Sequence, residues 1–147
     1  MTNIEKIKLF RALVRIMERK LGFLDDEITC CGVSLSQCHA IVEIGRAGEI
    51  SLIELSNLLN LDNSTLSRTV NNLVNNEKAV RELDPDDRRY VTIKLTQAGK
   101  TAFEEIEFKM ENYFTKIFYS IPEQKQEQVI DSLKILVKAI SENECCS

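Results

Sequence analysis

The chain has 147 residues, of which 44% are hydrophobic, and carries a formal net charge of −4. This length is enough to bury one core. No run of eighteen apolar residues occurs, and the charged N-terminus lacks the hydrophobic segment of a signal peptide, so the sequence predicts neither a membrane span nor export. We therefore expect a cytoplasmic protein without a membrane partner.

Helical patterns occupy both ends of the chain. Over about residues 3–21 apolar residues recur every three or four positions, at Ile4, Ile7, Phe10, Leu13, Met17 and Leu21. The same spacing predicts a helix over about 96–120 with Thr96 as its N-cap, and a last helix to about 142 with Pro122 as its first residue. Because these stripes are too long for a small central module to cover, we expect them to pack on each other or on a second subunit.

The centre of the chain has the pattern of a helix-turn-helix. Ser51 is a plausible N-cap for a short helix that carries Leu52, Leu55 and Leu58/Leu59. A turn at 61–63 precedes a second helix, over about 64–77, that Asp62 or Asn63 would cap. On a helical wheel one side of this second helix is apolar, and the other is polar and nearly free of acid. Its members are of the types that hydrogen-bond base edges and phosphates, and the predicted DNA-binding set is Ser64, Thr65, Ser67, Arg68, Asn71 and Asn72.

A β-hairpin follows this helix. The turn residues of 84–87 lead into Arg88 and Arg89 and then into an alternating strand over 90–95. Two guanidiniums at a narrow tip suit a DNA minor groove or its phosphates, and Asp87 would orient one of them through a charge-assisted hydrogen bond.

These motifs resemble the MarR family of transcriptional regulators. The resemblance rests on Asn63-Ser64-Thr65-Leu66-Ser67-Arg68 and on Asp87-Arg88-Arg89 followed by Val91 to Gly99, and it covers essentially the whole chain. The chain departs from the family at Lys78-Ala79, where members usually have Gly. The resemblance implies a mainly α protein with a small β-wing: a winged helix-turn-helix flanked by N- and C-terminal dimerisation helices.

The resemblance also implies an organisation and a partner. We expect an N-terminal dimerisation helix in 1–30, a DNA-binding module in 34–100 and C-terminal dimerisation helices in 101–147, intertwined as one domain. A homodimer would bind a pseudo-palindromic operator in double-stranded DNA and act as a repressor. The negative net charge is compatible with this role because residues 62–100 contain seven basic and six acidic residues, which leaves most of the acid elsewhere.

Five cysteines are the second unusual feature. Cys38 is expected to be a small buried residue. The vicinal pairs Cys30-Cys31 and Cys145-Cys146 suggest a thiol-based sensor that binds a thiophilic metal or metalloid or responds to an oxidant, with no cofactor otherwise required. The alternatives are a regulator of small aromatic ligands with bystander cysteines, and a winged-helix module that binds proteins instead of DNA. His39 has no metal or catalytic motif around it, so we expect no enzyme.

Overall fold

The computed structural model describes residues 1–21, 34–87 and 90–143. Its elements are α1 (Asn3–Leu21), α2 (Leu35–Ala47), β1 (Glu49–Ser51), α3 (Leu52–Leu59), α4 (Asn63–Asn75), β2 (Ala79–Leu83), β3 (Val91–Leu95), α5 (Gln97–Tyr119) and α6 (Glu123–Ser141). This order confirms the predicted fold class. By packing, the chain divides into residues 1–107 and residues 108–147. None of the helices in the described ranges is long and apolar enough to cross a bilayer.

The three strands form one antiparallel sheet with β3 in the middle. The strand order is β1-β3-β2, so Ile93 pairs with Ile50 on one side and with Arg81 on the other. Ile93 and Leu95 are buried. The sheet therefore joins the short strand before the helix-turn-helix to the hairpin that follows it.

The core lies beneath the helix-turn-helix. Its largest fully buried side chains come from α2, α3, α4, β3 and α5: Ile41, Ile44, Leu55, Leu66, Val70, Leu73, Ile93 and Ile106. Burying an aliphatic side chain of this size stabilises a fold by about 1.5–3 kcal/mol. The apolar side predicted for α4 thus faces the core, with Val74 half-buried at its margin.

Side-chain caps set the starts of the helices. Ser51 Oγ accepts from the N–H of Glu54 at 3.1 Å, and Thr96 Oγ1 accepts from the N–H of Gly99 at 3.1 Å, which confirms both predicted caps. Of the two candidates for α4, Asp62 is the cap. The position of Pro122 was predicted one residue wrongly. Its ψ of 134° is extended, so it precedes α6 instead of forming its first turn.

The terminal helices keep their apolar stripes uncovered within one chain. No residue of α1 or α6 is buried. Ile4 and Ile7 are 67% and 65% exposed, and Leu133 is 45% exposed. Helices with such stripes normally bury them against another surface.

The turn after α4 has an unusual backbone. Glu77 adopts a φ of +61°, in the left-handed region, while its N–H bonds to Val74 O and that of Lys78 to Leu73 O. This pair of bonds is the Schellman arrangement, in which the left-handed position usually carries Gly. The glycine-favouring position is therefore Glu77, immediately before Lys78-Ala79, where the departure from the family pattern was predicted.

Glycine at position 77 should stabilise the protein. The left-handed conformation costs a non-glycine residue about 1–2 kcal/mol, and glycine loses about 0.5–1 kcal/mol more conformational freedom on folding. We therefore expect Glu77→Gly to raise the free energy of unfolding by about 0.5–1 kcal/mol, as measured by urea denaturation. Asn76→Gly is the control, since Asn76 has a φ of −89° and gains no relief. A Glu77→Gly protein less stable than wild type would contradict the assignment of strain.

Candidate nucleic-acid interface

The polar face of α4 lies on the surface of the helix-turn-helix. Four of the predicted DNA-binding residues are exposed, namely Ser64, Arg68, Asn71 and Asn72, and two are half-buried, namely Thr65 and Ser67. Thr69, between them, is buried and donates its hydroxyl to Thr65 O at 3.1 Å. The hydroxyl, amide and guanidinium groups of the polar face are thus available to a partner.

The first turn of α4 is held by one carboxylate. Asp62 Oδ1 accepts from the N–H of Thr65 at 2.7 Å and from the Ser64 hydroxyl at 3.2 Å. The hydroxyl and the N–H of Thr65, then the Ser64 hydroxyl, hold the pKa of Asp62 below its ordinary value. The charged carboxylate of Asp62 therefore stabilises the folded state at pH values above its ordinary pKa. This stabilisation is lost as the pH falls through the lowered pKa of the folded state.

The hairpin turn is organised by another carboxylate. Asp84 Oδ1 accepts from the N–H groups of Asp86 and Asp87 at 2.9 and 3.4 Å. The backbone closes with Asp84 N–H on Tyr90 O at 2.9 Å and Tyr90 N–H on Asp87 O at 3.0 Å. This turn places Asp87 at the base of the predicted tip. Arg88 and Arg89 lie outside the described residues, so their predicted contacts, and that of Asp87 with them, stay predictions.

One cation of the wing is already paired. Lys94 Nζ lies 2.9 Å from Glu82 Oε1 across the β2–β3 pair. The hydrogen bond and the charge of Glu82 raise the pKa of Lys94. Lys94 is therefore less available to a phosphate than an unpaired lysine would be.

Arg81 is a candidate that the sequence did not reveal. It lies exposed on β2, and its Nη2 donates to Ser67 O in the middle of α4 at 3.5 Å. A guanidinium carries five N–H donors, so Arg81 can hold α4 and still bind an anion. Its position depends on how β2 packs beside a helix fourteen residues earlier, which no local pattern indicates.

A small cleft separates α4 from the base of the wing. Its volume is about 210 Å³, and it is lined by residues of β1, α3, α4 and β3 and by Tyr90, which directly precedes β3. Ligand pockets usually measure about 300–1,000 Å³. The cleft is thus small for a drug-sized ligand.

Only one of the five cysteines, and the histidine beside it, lie within the described residues. The predicted thiol site, formed by Cys30, Cys31, Cys145 and Cys146, lies outside the described residues and stays a prediction. Cys38 is half-buried in α2, and His39 beside it is exposed. In the part of the chain that is described, no three His, Cys, Asp or Glu side chains are grouped to hold a metal ion.

Sequence comparison finds relatives among transcriptional regulators. Residues 33–91 match the model of the MarR family. The multiple antibiotic resistance protein MarR of Salmonella typhimurium is 28% identical over 69% of this chain and 70% of its own length. The uncharacterized HTH-type transcriptional regulator YdgJ of Bacillus subtilis is 24% identical over 71% of this chain and 63% of its own length, so the match spans less than two thirds of that relative.

Structural comparison identifies solved proteins with the same fold. A mutant MarR from E. coli, crystallised with operator DNA, superposes with a TM-score of 0.72 at 23% identity, over 92% of this chain and 95% of that one. Its likeness shows the winged-helix fold, while the family match covers residues 33–91 of this chain. Members of the family regulate transcription and are not enzymes. Residues 33–91 of this chain thus match the MarR family, whose members are DNA-binding transcriptional regulators, and the described fold is a winged helix-turn-helix.

Proposed function

We propose that two copies of this chain bind a pseudo-palindromic operator and repress transcription, with α4 as the recognition helix. In this arrangement the polar face of α4 enters the major groove, where Arg68 and the amides of Asn71 and Asn72 can bond base edges. Ser64, Thr65 and Ser67 contact bases or phosphates at the start of the helix. Asp87, Arg88 and Arg89 of the wing reach the adjacent minor groove or its phosphates.

The observation that carries the proposal is the contrast between the two faces of α4. One face is fixed in the core through Leu66, Val70 and Leu73. The opposite face presents Ser, Asn and Arg with no acidic residue in the first turn of the helix. A surface helix that only meets water usually mixes Glu and Lys on its exposed face. This composition favours a nucleic acid over a protein as the partner.

The uncovered terminal helices support a dimer. The apolar stripes of α1 and α6 contain no buried residue in a single chain. Two-fold pairing would cover them and present two α4 helices to two half-sites about one turn of DNA apart. In this organisation residues 1–30 and 101–147 dimerise, and residues 34–100 bind DNA. An effector would then release the operator by changing the separation of the two recognition helices.

Substitutions at α4 and at the wing should weaken operator binding in different ways. Arg68→Ala should weaken the free energy of operator binding by about 1–3 kcal/mol, because a base contact is lost. It should also relax the sequence preference at one base of each half-site. Arg88→Ala and Arg89→Ala should each weaken binding by a similar amount. Substitution of whichever arginine contacts phosphate should also lower the slope of log affinity against log salt concentration by about one. Fluorescence anisotropy at several salt concentrations measures both quantities.

A matched control is available on α5. Lys116→Ala removes the same charge from an exposed site outside the winged helix, and it should leave operator affinity unchanged. If Arg68→Ala and the double variant of Arg88 and Arg89 fold and bind like wild type, the interface is wrongly assigned.

Assembly can be tested on α6. Light scattering at micromolar concentration should give about twice the 16.8 kDa of one chain. Leu133→Asp should dissociate or unfold the dimer, because it places a charge in the apolar stripe. Gln124→Asp, which adds the same charge at the polar start of α6, should not. A stable monomer of the intact wild-type chain would exclude the dimeric arrangement.

For the effector, we propose that the vicinal cysteines form the sensing site. Two or three thiolates from Cys30, Cys31, Cys145 and Cys146 would chelate a thiophilic ion such as arsenite or Cd(II). A second route is a disulfide between the two pairs, in which peroxide takes two electrons from two thiols and is reduced to water. Binding or oxidation would tie the end of the chain to the segment before α2.

The cysteine proposal predicts that four substitutions abolish the response. Wild type should release its operator on addition of arsenite, Cd(II) or peroxide, whereas a variant with all four cysteines changed to Ser should hold it in the same anisotropy assay. Cys38→Ser, half-buried in α2, is the control and should respond like wild type. Equal behaviour of wild type and the four-serine variant would make the cysteines bystanders and favour a small aromatic effector instead.

A further inference from the structure

One side chain joins the end of the recognition helix to the start of α5. Thr96 Oγ1 donates to Glu77 O at 2.6 Å, and the N–H of Thr96 donates to Lys78 O at 3.0 Å. The same hydroxyl oxygen accepts from the N–H of Gly99 in the first turn of α5 at 3.1 Å. A single hydroxyl thus serves as donor to the turn after α4 and as acceptor for α5.

Gly99 allows this close approach. It is buried, and a Cβ at this position would lie 1.9 Å from Lys78 O. Any side chain would therefore push the turn away from α5. Together with the left-handed Glu77, which directs the chain out of α4, Gly99 and Thr96 leave little freedom between the two helices.

The contact between the turn after α4 and the start of α5, which we call the joint, is hydrogen-bonded to both helices. Lys78 N–H bonds back to Leu73 O inside α4, while Lys78 O accepts from Thr96. A tilt of the first turn of α5 is therefore passed to the C-terminal turn of α4, unless one of these hydrogen bonds breaks. Packed and hydrogen-bonded contacts of this kind transmit displacements between elements.

We propose that Thr96 is a positioning residue for DNA recognition, because its bond to Glu77 O fixes the direction of α4 relative to α5. In a dimer this direction sets the half-site spacing that the two recognition helices accept. The inference rests on the proposed function, since it needs a dimer that binds two half-sites.

The simpler role of Thr96 is to cap α5. Substitutions that keep the hydrogen-bond acceptor but remove the donor can separate the two roles. Capping needs only an acceptor for the N–H of Gly99, and Asp supplies one. Holding Glu77 O needs a donor, which an ionised Asp lacks. Thr96→Asp therefore keeps the cap and removes the bond to α4, whereas Thr96→Ser keeps both.

The test measures spacing preference. The probe is the operator that wild type selects from random-sequence DNA, used as selected and with one central base pair inserted or deleted. We expect wild type to bind the altered operators about tenfold or more weakly, within the range of ordinary coupling between sites. Thr96→Asp should bind the selected operator about tenfold more weakly and discriminate among the three spacings by no more than about threefold. Thr96→Ser should keep the wild-type pattern of affinities for the three spacings.

Two further variants complete the design. Thr101→Val removes an equivalent hydroxyl that bonds only within α5, to Gln97 O at 3.1 Å, and should keep the wild-type profile. Thr96→Ala removes the hydrogen-bond donor and acceptor without adding charge, and it replaces Thr96→Asp in the test if the Asp variant does not fold. If folded Thr96→Asp or folded Thr96→Ala keeps the wild-type spacing profile, at whatever overall affinity, Thr96 is only a cap. If wild type selects no operator, the proposed function itself fails.

Discussion

The proposed DNA interface depends on the orientation of α4 about its own axis. Leu66, Val70 and Leu73 are buried on one side of the helix, and at about 100° per residue this leaves Arg68, Asn71 and Asn72 on the other. Rotating α4 by half a turn would expose three aliphatic side chains, at about 1.5–3 kcal/mol each, and would bury polar groups without partners. The packing of the core and the presentation of the polar face are therefore one constraint. If α4 is the recognition helix as proposed, substitutions in the core beneath it would disturb DNA recognition without touching DNA.

The acidic composition of the chain is less unfavourable for a DNA-binding protein than its net charge suggests. Several acids near the interface are engaged within the protein. Asp62 accepts N–H and O–H groups at the positive end of α4, Asp84 accepts backbone N–H groups in the hairpin turn, and Glu82 pairs with Lys94. By contrast, the guanidiniums of Arg68 and Arg81 belong to exposed residues. Local geometry, more than the sum of charges, decides which groups a phosphate would meet.

Much of the fold follows from local patterns, and what does not follow depends on tertiary packing. Apolar spacing and capping residues predicted α1, the two helices of the helix-turn-helix and α5 closely, because both signals are encoded within a few residues. The polar face of α4 was also readable from its wheel. The bond from Arg81 to Ser67 O was not, since it requires β2 to lie beside α4. The left-handed Glu77 was not readable either, because glutamate has no preference for that conformation and adopts it only where the Schellman bonds and Thr96 hold it.

In the proposed dimer, helix α5 would link subunit assembly with DNA recognition. It begins at the joint with the turn after α4 and runs for 23 residues, so it belongs to both packing units of the chain. At 1.5 Å per residue it is about 35 Å long. A tilt of about 5° over that length moves one end by about 3 Å, close to the rise of about 3.4 Å per base pair. In the proposed dimer, an effector that alters helix packing only slightly would therefore shift α4 by a distance that matters to DNA, provided that the hydrogen bonds at Thr96 hold.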